Sequence, residues 1–376
     1  MRFIRNLLTL FVLLAVAAVA TVYLRYGGAN PYPDVSTAPL LDAGLLEKVF
    51  EYPEPLGNGA VAADGRVFFT IHPESRPVGR KLLVWDKGAF KPFPTEAAQS
   101  EFDTVLGVNV DARGVLWTID HGQHGLRSAR LMAFDTSSGS KLFDMTFDKT
   151  VAPLGSMLQA MQIDSKGEFV YIADVSFWRK SPGIVVVDVK NKKAWRALDQ
   201  HPSVMPQSWL IRTATKNMEF FGGILALKPG VDGVALTRDD QTLYYGAMTN
   251  PILYRIATAA LKSPEAAANA AAAVQDVGTK PLSDGLSVDN DGNVFITDVE
   301  HGGVMRYGRD GKLQTVIRDD KRIRWADSLS FGPEGYLYIT DSAIPDQMLQ
   351  SKAHMQSRAP YFMYRFKPGT VATPGQ

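Results

Sequence analysis

Hydrophobic residues in this chain fall into short runs separated by turn-forming residues, and six segments repeat one pattern. Asn58-Gly-Ala-Val-Ala-Ala-Asp-Gly65-Arg-Val-Phe-Phe is the first, and Asp284-Gly-Leu-Ser-Val-Asp-Asn-Asp-Gly292-Asn-Val-Phe is a later copy. An apolar strand enters an Asp- and Gly-rich turn, and a second apolar strand leaves it. Glycine supplies the positive φ that tight turns need, so each segment predicts a β-hairpin. The turns centre on Gly65, Gly114, Gly167, Asp240, Gly292 and Gly335. Apart from one longer interval they lie roughly 40–50 residues apart, the period of a four-stranded propeller blade. Third strands fit Leu131–Asp135 and Gly183–Asp188; fourth strands fit Lys193–Leu198 and Leu313–Arg318. Pairing Tyr361–Phe366 with Leu46–Tyr52 would close the ring and remove an exposed edge. The pattern therefore predicts an all-β fold, a six-bladed β-propeller over residues 37–376. The longer interval holds residues 205–223, polar and aromatic without a blade pattern, which fits a lid or a plain surface loop. Residues 258–274, rich in Ala, predict a helix beside a blade.

A different pattern opens the chain. Residues 7–24 are apolar except for Thr9 and Thr21, with Arg2 and Arg5 before them and Arg25 after. A positive start followed by an apolar core marks an export helix. Ala18-Val19-Ala20 offers a cleavage site, yet ~18 residues is also near the minimum for a membrane span. Signal and anchor both remain open, and both place the rest of the chain outside the cytoplasm, periplasmic or extracellular. Residues 1–36 are read as this segment plus a linker, and membrane contact is expected only there, if it is uncleaved.

A net charge of +1 gives no bulk attraction for nucleic acid, which is not expected as a partner. The absence of Cys excludes disulfides, thiolate metal sites and a Cys nucleophile. No Gly-x-Ser-x-Gly elbow, phosphate-binding Walker loop or His-Glu-x-x-His motif occurs.

The repeat itself sets out the candidate chemistry. Asn58, Leu106, Gln159, Asp232, Asp284 and Asp327 stand just before the inner strands, so they should meet at one end of the axis. His72, Asp120, Asp174, Gly246, Asp298 and Asp341 follow the second strands on the same face. Oxygen ligands from several blades would suit a divalent cation, Ca²⁺ before Zn²⁺, with Asp284 and Asp232 as its first candidates. Carboxylates gathered at an axis otherwise need protons or a cationic ligand. The bland reading is that each Asp caps a turn. Asp232, Asp284, Asp327, Gln159, Asp120, His121, Asp298, His301 and Trp178 form the candidate ligand-binding set. His121 and His124 could be a loop-borne zinc pair or a polar rim. His72, His121 and His301 are each candidates for a general base. Trp178, beside Arg179 and Lys180, would stack a planar ligand or pack on its neighbour.

Several motifs carry a family resemblance. Phe169-Val-Tyr-Ile-Ala-Asp174, then Gly183-Ile-Val-Val-Val-Asp188 and Trp195-Arg196, resemble the major royal jelly/yellow family. Leu116-Trp-Thr-Ile-Asp120-His-Gly122 and Asp232-Gly-Val-Ala-Leu236 match it too. The resemblance covers about residues 45–365 and implies a six-bladed propeller that binds small, often aromatic or amine, ligands. The wider relatives, gluconolactonase/regucalcin and paraoxonase-like propellers, hold a divalent metal in the channel. Asp284 matches one of their ligands, whereas Asp232, Leu106 and Asn58 depart from the others. The resemblance therefore implies a small-ligand binder. A metal-dependent lactonase-like hydrolase and a protein-interaction scaffold are the alternatives.

Overall fold

The computed structural model describes residues 2–376. Six four-stranded antiparallel sheets stand around a central axis. Blade 1 runs Leu56–Val61, Val67–Ile71, Leu82–Asp86 and Ala89–Pro92, and blade 2 runs Val105–Val110, Val115–Asp120, Arg130–Asp135 and Lys141–Thr146. Blade 3 uses Leu158–Ile163, Phe169–Asp174, Gly183–Asp188 and Lys193–Ala197. Blade 4 uses Val231–Leu236, Thr242–Ala247, Ile252–Ala257 and Gln275–Thr279. Blade 5 uses Leu286–Val288, Val294–Asp298, Gly303–Tyr307 and Leu313–Arg318. Blade 6 takes Ala326–Phe331, Leu337–Asp341 and Tyr361–Phe366 from the end of the chain. Its outer strand, Glu47–Tyr52, comes from the beginning, with Glu47 opposite Arg365 and Tyr52 opposite Tyr361. The expected closure is thus formed.

Each blade buries both faces against its neighbours, which explains the near-continuous apolar strands. Ile119 and Leu131 of blade 2 pack with Met161, Ile163 and Ile172 of blade 3. Tyr171 and Val186 of blade 3 pack in turn with Val234, Leu243 and Tyr245 of blade 4. Each such side chain contributes about 1.5–3 kcal/mol when fully buried. Near the axis the inner strands approach closely, and glycine follows the axial residue in four of the six blades. A Cβ on Gly107 would collide with the carbonyl of Gln159, and one on Gly233 with that of Asp284. One on Gly285 would collide with the carbonyl of Asp327. The Asp-Gly pairs seen in the sequence are therefore a packing requirement of the ring as well as a source of carboxylates.

The six turns lie at one end, where neighbouring turns interlock. Ser165 N donates to Asp240 Oδ1 at 2.9 Å, and Gly65 sits beside Pro333. Residues 371–376 cross this end: Asn290 N donates to Val371 O at 2.9 Å, and Gly375 N to Phe331 O at 2.8 Å. Residues 258–274 form three short helical pieces rather than one helix. Pro264 begins the middle one behind its Ser263 cap, and Asn269 ends it.

The opposite end, the mouth, carries the longer loops. The N-terminal helix, Arg2–Tyr26, has no buried residue and stands clear of the blades up to its last turn. There it is fastened to the mouth. Arg25 Nη2 donates to Arg179 O at 2.8 Å and Tyr26 Oη to Trp178 O at 2.7 Å. Lys228 Nζ donates to Gly27 O at 2.5 Å and to Gly28 O at 2.9 Å, covering carbonyls that the helix end leaves free. The segment after the helix is laid over the mouth: Asn30 pairs with Trp209, and Tyr32 Oη donates to Lys280 O at 2.9 Å.

Candidate functional site

Three carboxyl groups form the floor of the mouth. Asp232, Asp284 and Asp327, from blades 4, 5 and 6, are each at most 5% exposed. Their place is set by the inner strands they open and by a neighbour for each. Trp325 Nε1 donates to Asp284 Oδ2 at 2.7 Å, and Asn58 Nδ2 donates to Asp327 Oδ1 at 2.7 Å. Gln159 Nε2 donates to Asp232 Oδ1. Burial disfavours the charged forms, and like charge adds to it. Asp284 is raised to about 6, chiefly by burial and against its bonds from Trp325 and Asp232. Asp232 and Asp327 rise well above the carboxylate range, by burial first and by the neighbouring carboxyls second. Burial and mutual repulsion disfavour the charged forms of this cluster, and either protons or a positive group would relieve them.

Apolar walls rise from this floor around a narrow pocket of about 90 Å³. Phe177 and Trp178 come from blade 3, Trp325 from the blade 6 entry, and Met157, Met248 and Met348 fill between them. Phe220, Leu225 and Leu227 belong to the long connection between blades 3 and 4. That segment contains the residues read as a lid or surface loop, and its hairpin of Glu219–Phe220 with Leu225–Ala226 forms one wall. Trp178 packs edge-on against Phe177 with ring centroids 4.8 Å apart.

The pocket draws in some of the expected residues and leaves others out. Asp232, Asp284, Asp327, Gln159 and Trp178 line it. Asp120, His121, Asp298 and His301 do not. Asp120 accepts from Asp103 N at 2.6 Å, Thr104 N at 3.0 Å and Gly122 N at 3.0 Å, so it caps its own loop. Asp298 likewise accepts from Glu300 N, and its Oδ2 lies 2.8 Å from His301 Nδ1. His301 is raised by that contact, and its Nε2 lies 3.7 Å from Asp34 Oδ2 of the segment that follows the helix. His121 is buried, and burial depresses its imidazole to about 3. The residues after the second strands are thus mainly turn caps, whereas those before the inner strands form the floor.

Beside the floor stands a group whose histidines the sequence singles out but whose carboxylate, Glu74, it does not. His124 Nε2 lies 3.2 Å from Glu74 Oε1, and both line the pocket with His72. Burial alone would raise Glu74, but its contact with His124 overrides that and the carboxyl sits below its usual range. His72 is buried and held down at about 4. His121 Nε2 and His124 Nδ1 are buried without a hydrogen-bond partner. Two signals point to it: the shared register position of His72 and His121, and the reading of His121 and His124 as a polar rim, of which His124 lines the pocket. Lys280 was also unseen. Its ammonium is fully buried behind the floor, bonded to Ser283 Oγ at 2.8 Å and lowered to about 7 by burial, with Asp232 pulling the other way.

The donor set for a metal would be the three carboxyls with Asn58, whose Oδ1 is buried and unpartnered. Leu106 offers no ligand from blade 2. As placed, no three His, Asp or Glu side chains among the described residues converge to hold an ion. A larger cleft of about 840 Å³ lies between blades 4 and 5 at the turn end, lined by Arg238, Asp289, Asp291 and Arg309, away from this chemistry.

Solved structures with this architecture include a gluconolactonase from Xanthomonas campestris, at a TM-score of 0.55 and 15% identity, covering 91% of this chain and 97% of that one. Regucalcin from Agrobacterium tumefaciens, described as a calcium-binding protein, aligns at a TM-score of 0.55 and 12% identity, over 88% of this chain and 95% of that one. A luciferin-regenerating enzyme aligns at 0.55 and 11% identity, over 88% and 97%. At such identities these likenesses establish the fold alone. No curated protein matches the chain by sequence. The sequence model described as major royal jelly protein does match, over residues 103–370, from blade 2 through the last strand of blade 6. With six blades closed as its motifs implied, the chain belongs to the major royal jelly protein family.

Proposed function

We propose that this is an exported propeller that binds a small amine with an apolar or aromatic body in the mouth of its channel. The observation that carries the reading is a buried carboxyl cluster beneath a wall of aromatic and methionine side chains. A cationic head would relieve the repulsion among Asp232, Asp284 and Asp327, and hydrogen bonds to a charged group contribute about 1.5–3 kcal/mol. The body would displace water from Phe177, Trp178, Phe220 and Met248, which favours binding by burial of apolar area. Calorimetry with phenethylamine tests this. Binding should strengthen from pH 5 to pH 8 as Asp284 ionises near 6. Asp284→Asn should weaken it by about tenfold or more, the equivalent of 1.4 kcal/mol. Equal affinity in the variant and at both pH values would overturn the reading.

A divalent-metal hydrolase of the lactonase type is the second reading, favoured by the free Asn58 Oδ1 next to Asp327. Asp232, Asp284, Asp327 and Asn58, which do not converge as placed, would have to draw together to hold the ion, which would supply Lewis-acid polarisation of an ester carbonyl. On this reading His124, which lines the pocket with Glu74 beside it, would be the group to accept a proton from water. Metal content after purification, and chelator-sensitive hydrolysis of a simple aromatic lactone, separate this reading from the first.

A further inference from the structure

We propose that the mouth face of this propeller lies on a lipid bilayer, so that the pocket opens into the headgroup layer. The proposal builds on the reading of the N-terminal helix as an anchor, and three observations on that face support it.

The helix is long and apolar enough to cross a membrane, with no part buried in the protein. It leaves the mouth without slack. Tyr26 and Gly27 are already held by Trp178 O and Lys228 Nζ, and the Lys180 ammonium lies 5.0 Å from the Tyr26 ring centre. A membrane reached by this helix is therefore close to the mouth and not at the end of a tether.

Exposed apolar side chains concentrate on the same face. Val78, Leu126, Leu154, Trp178, Phe221 and Leu349 come from six separate mouth connections, and Phe221, at a hairpin tip, is 71% exposed. The other large exposed apolar residues outside the helix are few among the described residues. Leu40, Leu45 and Leu142 are on the outer wall, and Val371 is at the turn end. Single exposed apolar residues are ordinary, but six on one face are not scattered.

Cations stand between these tips. Arg76, Arg127, Lys149 and Lys352 are exposed on the mouth loops, and exposed Asp34, Glu96, Glu101, Asp148, Asp199 and Glu219 share that face with them. Apolar tips that enter about 5–10 Å, set among basic residues that meet phosphate headgroups, are the chemistry of an interfacial surface.

The chain has no cysteine, so single introduced thiols can report on position without background. The full chain would be reconstituted in vesicles of phosphatidylcholine and phosphatidylglycerol, with an environment-sensitive fluorophore at one site at a time. The sites are Leu126→Cys, Phe221→Cys and Leu349→Cys on the mouth, Val371→Cys at the turn end and Leu13→Cys in the helix. The mouth labels and the Leu13 label should shift to the blue and lose emission with brominated lipid, while the Val371 label should not. Mouth labels as unquenched as the one at Val371, with Leu13 quenched, would overturn the proposal and leave the anchor reading standing. Quenched mouth labels with Leu13 unquenched would support the surface and defeat the anchor. All five unquenched would defeat both.

Discussion

At Asp284 three influences meet: burial that disfavours charge, an indole N–H that favours it, and a second carboxyl within hydrogen-bonding reach. Their balance leaves the group near 6, against 3.8 in the open chain. Because the folded value is raised, this carboxyl's contribution to stability is full below about pH 4. It is lost as pH rises through 6. Asp284→Asn keeps the volume and an acceptor for Trp325, so it should stabilise the fold at pH 8 relative to pH 4. About two pKa units correspond to about 3 kcal/mol. Urea titrations of both proteins at the two pH values measure this, and a pH-independent difference would contradict it. Gly233 gives a second prediction at this scale. Its missing Cβ makes room for the Asp284 carbonyl, so Gly233→Ala should destabilise by about 1–3 kcal/mol while retaining side-chain chemistry at the floor. The melting temperature and the far-ultraviolet spectrum would show it.

Blades are the unit at the next scale, and blade 6 is the one made from both ends of the chain. Its outer strand carries Phe50, which packs on Phe69, Trp85 and Phe90 of blade 1 at centroid distances of 5.0, 5.7 and 5.3 Å. The residue therefore closes the ring and joins blade 6 to its neighbour. Phe50→Ala should cost about 3–5 kcal/mol, the range for deleting a buried aromatic side chain. Equilibrium unfolding checks the value, and limited proteolysis should then cut first before residue 56. The blade pattern was legible in the sequence because each strand is buried on both faces and each turn needs glycine or aspartate. The loops of the mouth were less legible. Residues 205–223 have no period, since their shape depends on the parts of the mouth they touch.

For the whole molecule, the mouth and the turn end differ in kind. Interlocked turns and residues 371–376 cover one end, while the other presents the pocket, the helix and the apolar loop tips. The helix contributes no buried residue to the core, so a chain that begins at Leu24 should unfold at the same temperature as the full one. Removing the Lys228 amine by Lys228→Met should instead free the helix end, which loses its bonds at Gly27 O and Gly28 O. Faster hydrogen exchange at residues 25–32, with no change in the blades, is the expected result.

The sequence by itself determined the six hairpins, their closure and the ring of residues that open the inner strands. These follow from local rules: short apolar runs, turn chemistry and a register repeated in every blade. It also marked Asp232, Asp284 and Asp327 as a group, because one register position maps to one ring around the axis. Only the tertiary structure decided which polar residues face a pocket. Asp120, Asp298 and His72 share a register position and each accepts from a nearby backbone N–H, yet of the three His72 alone also lines the pocket, with Glu74 and His124. Spacing along a strand fixes height and face. Whether a loop side chain reaches a pocket depends on which loops of neighbouring blades pack beside it, as Glu74 of blade 1 meets His124 of blade 2 at 3.2 Å, and that meeting joins distant parts of the chain.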